Sequence, residues 1–143
     1  MSFHRALGAF ALAALVLAGC NKSADKGKTE DQLVADGGFT RDQAKCITND
    51  VWDKIPKKDL DKLTNANAQL TPEQQTVFSQ AAVKCARDKI IEQMKTGITA
   101  QDANVTPEQI DCITGKLTDE DLVNIMKSQT DALTNAVTAC VTS

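Results

Sequence analysis

The sequence predicts an all-α protein: two tandem three-helix units, each holding one disulfide, packed as one small domain. Three observations lead there. Residues Thr40 to Thr48 (TRDQAKCIT) recur as Thr106 to Thr114 (TPEQIDCIT), with identity at five of nine positions and Asp42 matched by Glu108. Such internal self-similarity marks a duplicated structural unit. Each copy opens with Thr followed three residues later by Gln, the pattern of a capping box at a helix start, with Phe39 or Val105 placed to begin a hydrophobic staple. No stretch sustains the alternation expected of a strand, while apolar residues recur at steps of three and four.

Taken in order, the pattern predicts helices near 40–54, 57–66, 72–95, 107–117, 119–128 and 130–141. In the first, Ile47, Val51 and Ile55 stand at four-residue steps, and Pro56 ends it. Asp59-Leu60 opens the second. The third begins at Thr71-Pro72-Glu73-Gln74, with Pro at the first helical position and an acid where the helix dipole favours it. Its face carries Val77, Ala81, Cys85 and Lys89 beside Phe78, Ala82 and Ile90. Gly97 predicts the break between units. The fourth repeats the first helix and holds Gly115, an unfavourable residue within a helix. Leu122, Ile125 and Met126 make the stripe of the fifth, after Asp121-Leu122 echoes Asp59-Leu60. Leu133, Val137 and Cys140 line the sixth. The units are expected over 39–96 and 106–143, joined by a linker at 97–105.

Residues 1–19 have the parts of an export signal in order. His4 and Arg5 form a short basic start, Ala6 to Leu17 an apolar run, and Ala18 and Gly19 the small residues before Cys20. The run is shorter than the roughly 20 apolar residues that span a bilayer. Leu17-Ala18-Gly19-Cys20 resembles the lipobox of bacterial lipoprotein precursors, over about the first 22 residues. The resemblance implies cleavage before Cys20, diacylation of its thiol and a lipid anchor in the membrane. Asn21 takes the position where Asp retains such proteins at the inner membrane. The resemblance therefore points to the cell envelope and, in a Gram-negative cell, to the periplasmic face of the outer membrane. Residues 20–38 are then expected to be a flexible, lipid-anchored tether, because Lys, Asp, Ser, Thr and Gly dominate and little apolar surface is available before Leu33 and Val34. Lys22, Lys26 and Lys28 lie where they can meet anionic headgroups, although solvation alone also accounts for them.

Four cysteines remain beyond Cys20: Cys46, Cys85, Cys112 and Cys140. Export places them in an oxidising compartment, where an even number reads as disulfides. Three pairings are possible. The repeat favours Cys46–Cys85 and Cys112–Cys140, so that each copy holds its own staple. Loops of roughly 40 and 29 residues make each worth about 3.5–4 kcal/mol in the chain-entropy model. No Cys-x-x-Cys or haem-attachment spacing occurs, and the short spacings of thiolate zinc sites are missing.

The same residues carry a second resemblance. Thr40, Gln43, Cys46 and Cys85, and again Thr106, Gln109, Cys112 and Cys140, are similar to the helix starts and cysteines of small secreted helical domains in actinobacterial and related bacterial proteins. The likeness covers most of the chain beyond residue 38. Those domains are largely without an assigned function, so it implies no catalytic residue.

Composition excludes several functions. The single histidine is His4 and tyrosine is absent, so the processed chain has no His general base, no Ser-His or Cys-His pair and no His metal ligand. Loss of Arg5 with the first 19 residues takes the net charge from −3 to −4. An acidic chain with interspersed lysines lacks the basic stripe that binds nucleic acid. The expected function is a non-enzymatic envelope lipoprotein, without cofactor or metal, that binds an envelope protein or cell-wall partner. A thiol-redox protein with a labile cysteine pair and a carrier of a small apolar ligand are the alternatives. Trp52, the one tryptophan, is expected in the core, an exposed binding position being the other reading.

Overall fold

The computed structural model describes residues 25–64, 69–102 and 104–141. Every regular element is a helix, without strands among the described residues. The elements are α1 (Lys26–Ala35), α2 (Arg41–Val51), a 3-10 helix (Lys57–Thr64), α3 (Pro72–Gln101), α4 (Pro107–Gly115), α5 (Asp119–Met126) and α6 (Asp131–Val141). The all-α expectation holds, and both disulfides form in the pairing the repeat favours: Cys46–Cys85 and Cys112–Cys140, with Cα separations of 5.8 and 5.9 Å.

The division of the chain differs from the expected one. Two compact units meet between Ala86 and Arg87, not at the 97–105 linker. Gly97 does not stop α3, which runs on to Gln101; Ile90 and Met94, buried one turn apart, pack the helix just ahead of the glycine. That packing outweighs the roughly 1 kcal/mol disadvantage of a helical glycine. The interruption lies instead at Ala86, whose φ of −147° and ψ of 36° leave the helical region. Each unit therefore has four helical elements rather than three. The first contains α1, α2, the 3-10 helix and α3 up to Ala86. The second contains α3 from Arg87, then α4, α5 and α6.

The tether expected over 20–38 is corrected in the part described. Asp25 caps α1 by accepting from the Gly27 amide at 2.8 Å. Thr29 and Leu33, one turn apart, are buried where α1 packs on α2. The composition of this stretch is polar on average, but two inward positions at helical spacing suffice once a partner helix supplies the apolar surface. Gly38, with φ of 66°, turns the chain from α1 towards α2. Phe39 then packs so closely that a Cβ on Gly37 would stand 2.6 Å from its ring.

In the first unit, Ala44, Ile47, Thr48 and Val51 of α2 face inward with Ile55, Leu60, Ala81 and Ala82. The segment expected as an α-helix over 57–66 is a 3-10 helix. Asp59 and Leu60 are its buried residues of known placement, too few for a continuous α-helical stripe. Asp59 accepts from Gln74 Nε2 at 3.0 Å and pairs with Lys62 at 2.6 Å, and Gln74 completes a capping box with Thr71. These bonds tie the 3-10 helix to the start of α3. Lys62 and Gln74 hold the Asp59 carboxyl below its ordinary pKa.

The second unit repeats the pattern position by position. Ile110, Ile113, Thr114 and Leu117 are buried as Ala44, Ile47, Thr48 and Val51 are, and Leu122 takes the place of Leu60. Capping boxes at Thr40, Thr106 and Thr118 are complete. α6 packs on α4 and α5 through Leu133, Ala136 and Cys140. Arg87 holds the turn before α5, bonding Asp119 at 2.7 Å and the Leu117 carbonyl at 3.1 Å. The units also share an ion pair between their first two helices with its charges exchanged: Asp31 with Arg41, and Lys95 with Asp111.

Candidate functional site

Duplication separates structure from specialisation. Features present in both units, namely the capping boxes, the inward residues and the cysteines, build the fold twice. A feature present in one unit alone is a candidate for function. Cys20, the expected lipidation residue, lies outside the described residues. Cys46, Cys85, Cys112 and Cys140 are consumed as staples. Cys46 and Cys112 are exposed, Cys85 is half-buried and Cys140 buried.

Trp52 is the feature without a counterpart. It follows Val51 at the end of α2, and the same register in the second unit is Thr118, the cap of α5. Trp52 does not join the core; it is half-buried at the surface of the first unit, which corrects the expectation of a core tryptophan. The inward position is taken by its neighbour Val51, so Trp52 is rotated about 100° away along the helix. Two cations cover its ring. Lys26 Nζ at the start of α1 lies 5.5 Å from the ring centroid and Lys57 Nζ at the start of the 3-10 helix 5.4 Å. Each such contact contributes roughly 0.5–1 kcal/mol at an exposed site. Lys26 Nζ also donates to Asn49 Oδ1 at 3.0 Å, which fixes the ammonium beside the ring. Lys54, Pro56 and Lys58 are exposed close by in sequence.

Both charges that cover the ring are positive. Asp50 is paired with Lys84 at 2.8 Å and Lys54 at 3.2 Å, and these bonds lower its pKa. Asp53 is exposed beside Trp52. Among the described residues no carboxylate pairs with Lys26 or Lys57. The sequence pointed to Lys26 and to Trp52 separately. It did not join them, because residues 26, 52 and 57 meet only after α1 folds onto α2. Extending the repeat four residues beyond Thr48 would have shown that Trp52 breaks the duplication.

Elsewhere, a groove of about 320 Å³ in the second unit is lined by Leu117, Ala132 and Ala136 together with Lys116, Asp121 and Asn135. The Asp121 carboxylate is already committed to the Thr118 cap, which lowers its pKa. Among the described residues no group of three or more His, Cys, Asp or Glu is placed to hold a metal ion, and no helix is long and apolar enough to cross a membrane.

Comparison with protein-family models, curated proteins and solved structures yields no match.

Proposed function

We propose that the chain is a non-enzymatic cell-envelope lipoprotein, held to the membrane through acylated Cys20, whose disulfide-stapled helical units bind an envelope protein or cell-wall component. The observation that carries the reading is Leu17-Ala18-Gly19-Cys20 at the end of a short apolar run. Two disulfides agree with it, since they persist in oxidising compartments. The absence of histidine after His4 speaks against the common acid-base mechanisms. Asn21 after the cysteine favours the outer membrane of a Gram-negative host.

Cys20→Ala tests the reading. The wild-type chain is expected in the membrane fraction with an intact mass of acylated protein from Cys20 onward, and the variant is expected to lose both. Unchanged fractionation and mass would refute the proposal. The exposure of Cys46 and Cys112 favours thiol-redox chemistry as the second reading. It requires that one disulfide open in mild reductant while the helices stay folded; inertness of both pairs excludes it.

A further inference from the structure

We propose that Trp52, Lys26 and Lys57 form a membrane-docking face that lays the first unit on the anionic phospholipid headgroups of the bilayer carrying the anchor. The inference rests on the lipoprotein reading and adds an orientation to it. Six residue steps separate Cys20 from Lys26, a span of at most about 21 Å for a fully extended chain. Whatever face carries Lys26 is therefore confined close to the membrane plane once Cys20 is acylated. That face also presents the one tryptophan of the chain, half-buried, with two ammonium groups within 5.5 Å of its ring. Tryptophan partitions to the bilayer interface because its ring is apolar and its indole N–H is polar. Lysine ammonium groups reach anionic headgroups while their stems lie along apolar surface. A processed chain of net charge −4 that sets Lys26 and Lys57 over its tryptophan has local charges there opposite to its overall charge and complementary to an anionic leaflet. Asp50, two residues before Trp52, is paired with Lys84 and Lys54, which leaves exposed Asp53 as the neighbouring carboxylate in sequence.

The single tryptophan makes the proposal measurable, since all indole emission comes from Trp52. Full-length processed protein is reconstituted into phosphatidylcholine vesicles, with or without phosphatidylglycerol, containing brominated phospholipid as a quencher within the bilayer. In the phosphatidylglycerol vesicles Trp52 emission is expected to shift to the blue and to be quenched. Each lysine near an anionic surface multiplies the docked-to-free ratio about fivefold, so Lys26→Gln/Lys57→Gln lowers it about 25-fold. Lys26→Arg/Lys57→Arg retains the charge and is expected to restore quenching. Salt near 1 M shortens the screening length to about 3 Å and is expected to release the face while the acyl anchor holds.

The intact mass is read on the same sample. Acylated Cys20 without quenching overturns the docking face and leaves the lipoprotein reading intact. An unmodified Cys20 overturns the lipoprotein reading, and with it the distance argument. A blue shift produced by soluble polyphosphate but not by the anionic vesicles assigns the face to a soluble polyanion and overturns the proposal.

Discussion

Removing either disulfide is expected to destabilise the protein by an amount set by the loop it closes. The two bridges span sequence separations of 39 and 28 residues. In the chain-entropy model the corresponding losses are about 3.9 and 3.6 kcal/mol at 25 °C. Each is a large part of a typical unfolding free energy of about 5–15 kcal/mol. The paired variants Cys46→Ala/Cys85→Ala and Cys112→Ala/Cys140→Ala, in a soluble form starting at Asn21, are unfolded in urea at neutral pH. Far-ultraviolet circular dichroism follows all helices, and Trp52 fluorescence follows the first unit. Alanine is chosen because Cys140 is buried, and a serine hydroxyl there would add its own desolvation cost. Both variants should lose between about 3 and 4 kcal/mol, with the first pair losing slightly more. A loss below about 1 kcal/mol for either pair would refute the view that the staples restrict the unfolded chain.

Three further outcomes follow from the geometry. Thr48 Oγ1 is buried and without a hydrogen-bond partner among the described residues, while its repeat counterpart Thr114 donates to the Ile110 carbonyl at 3.0 Å. Thr48→Val is therefore expected to raise stability by about 1 kcal/mol in urea unfolding, and Thr114→Val to give no such gain. Gly38→Ala forces a Cβ into a left-handed backbone at φ of 66° and is expected to cost about 1–2 kcal/mol, read as a lowered urea midpoint. The Asp50 carboxyl has a folded pKa below its ordinary 3.8, through its bonds to Lys84 and then Lys54. The stabilisation it contributes is present above the unfolded value and is lost as pH falls through the folded one. The stability difference between wild type and Asp50→Asn should thus be present at pH 7 and shrink below pH 3.8. A difference that stays constant into acid would show that the ion pairs do not couple to folding.

The legible part of this protein was local. Thr40 with Gln43 and Thr106 with Gln109 specify helix starts within four residues, and the structure forms both boxes. The repeat around Cys46 and Cys112 favoured the cysteine pairing because two copies of one unit favour one internal bridge each. The all-α class followed from the same spacing. Tertiary structure decided what depends on a partner surface. Lys26–Ala35 is helical because Thr29 and Leu33 find α2, although the segment by itself is too polar to order. Gly97 is carried inside α3 because Ile90 and Met94 are buried, and the break moves to Ala86. Trp52 faces outward because Val51 takes the inward position, and Lys26 and Lys57 reach its ring only when three elements assemble. Capping and periodicity act over one or two helical turns and are therefore written in the sequence. Burial is a property of the packed body, and it decided where the helices end and which side chains remain at the surface.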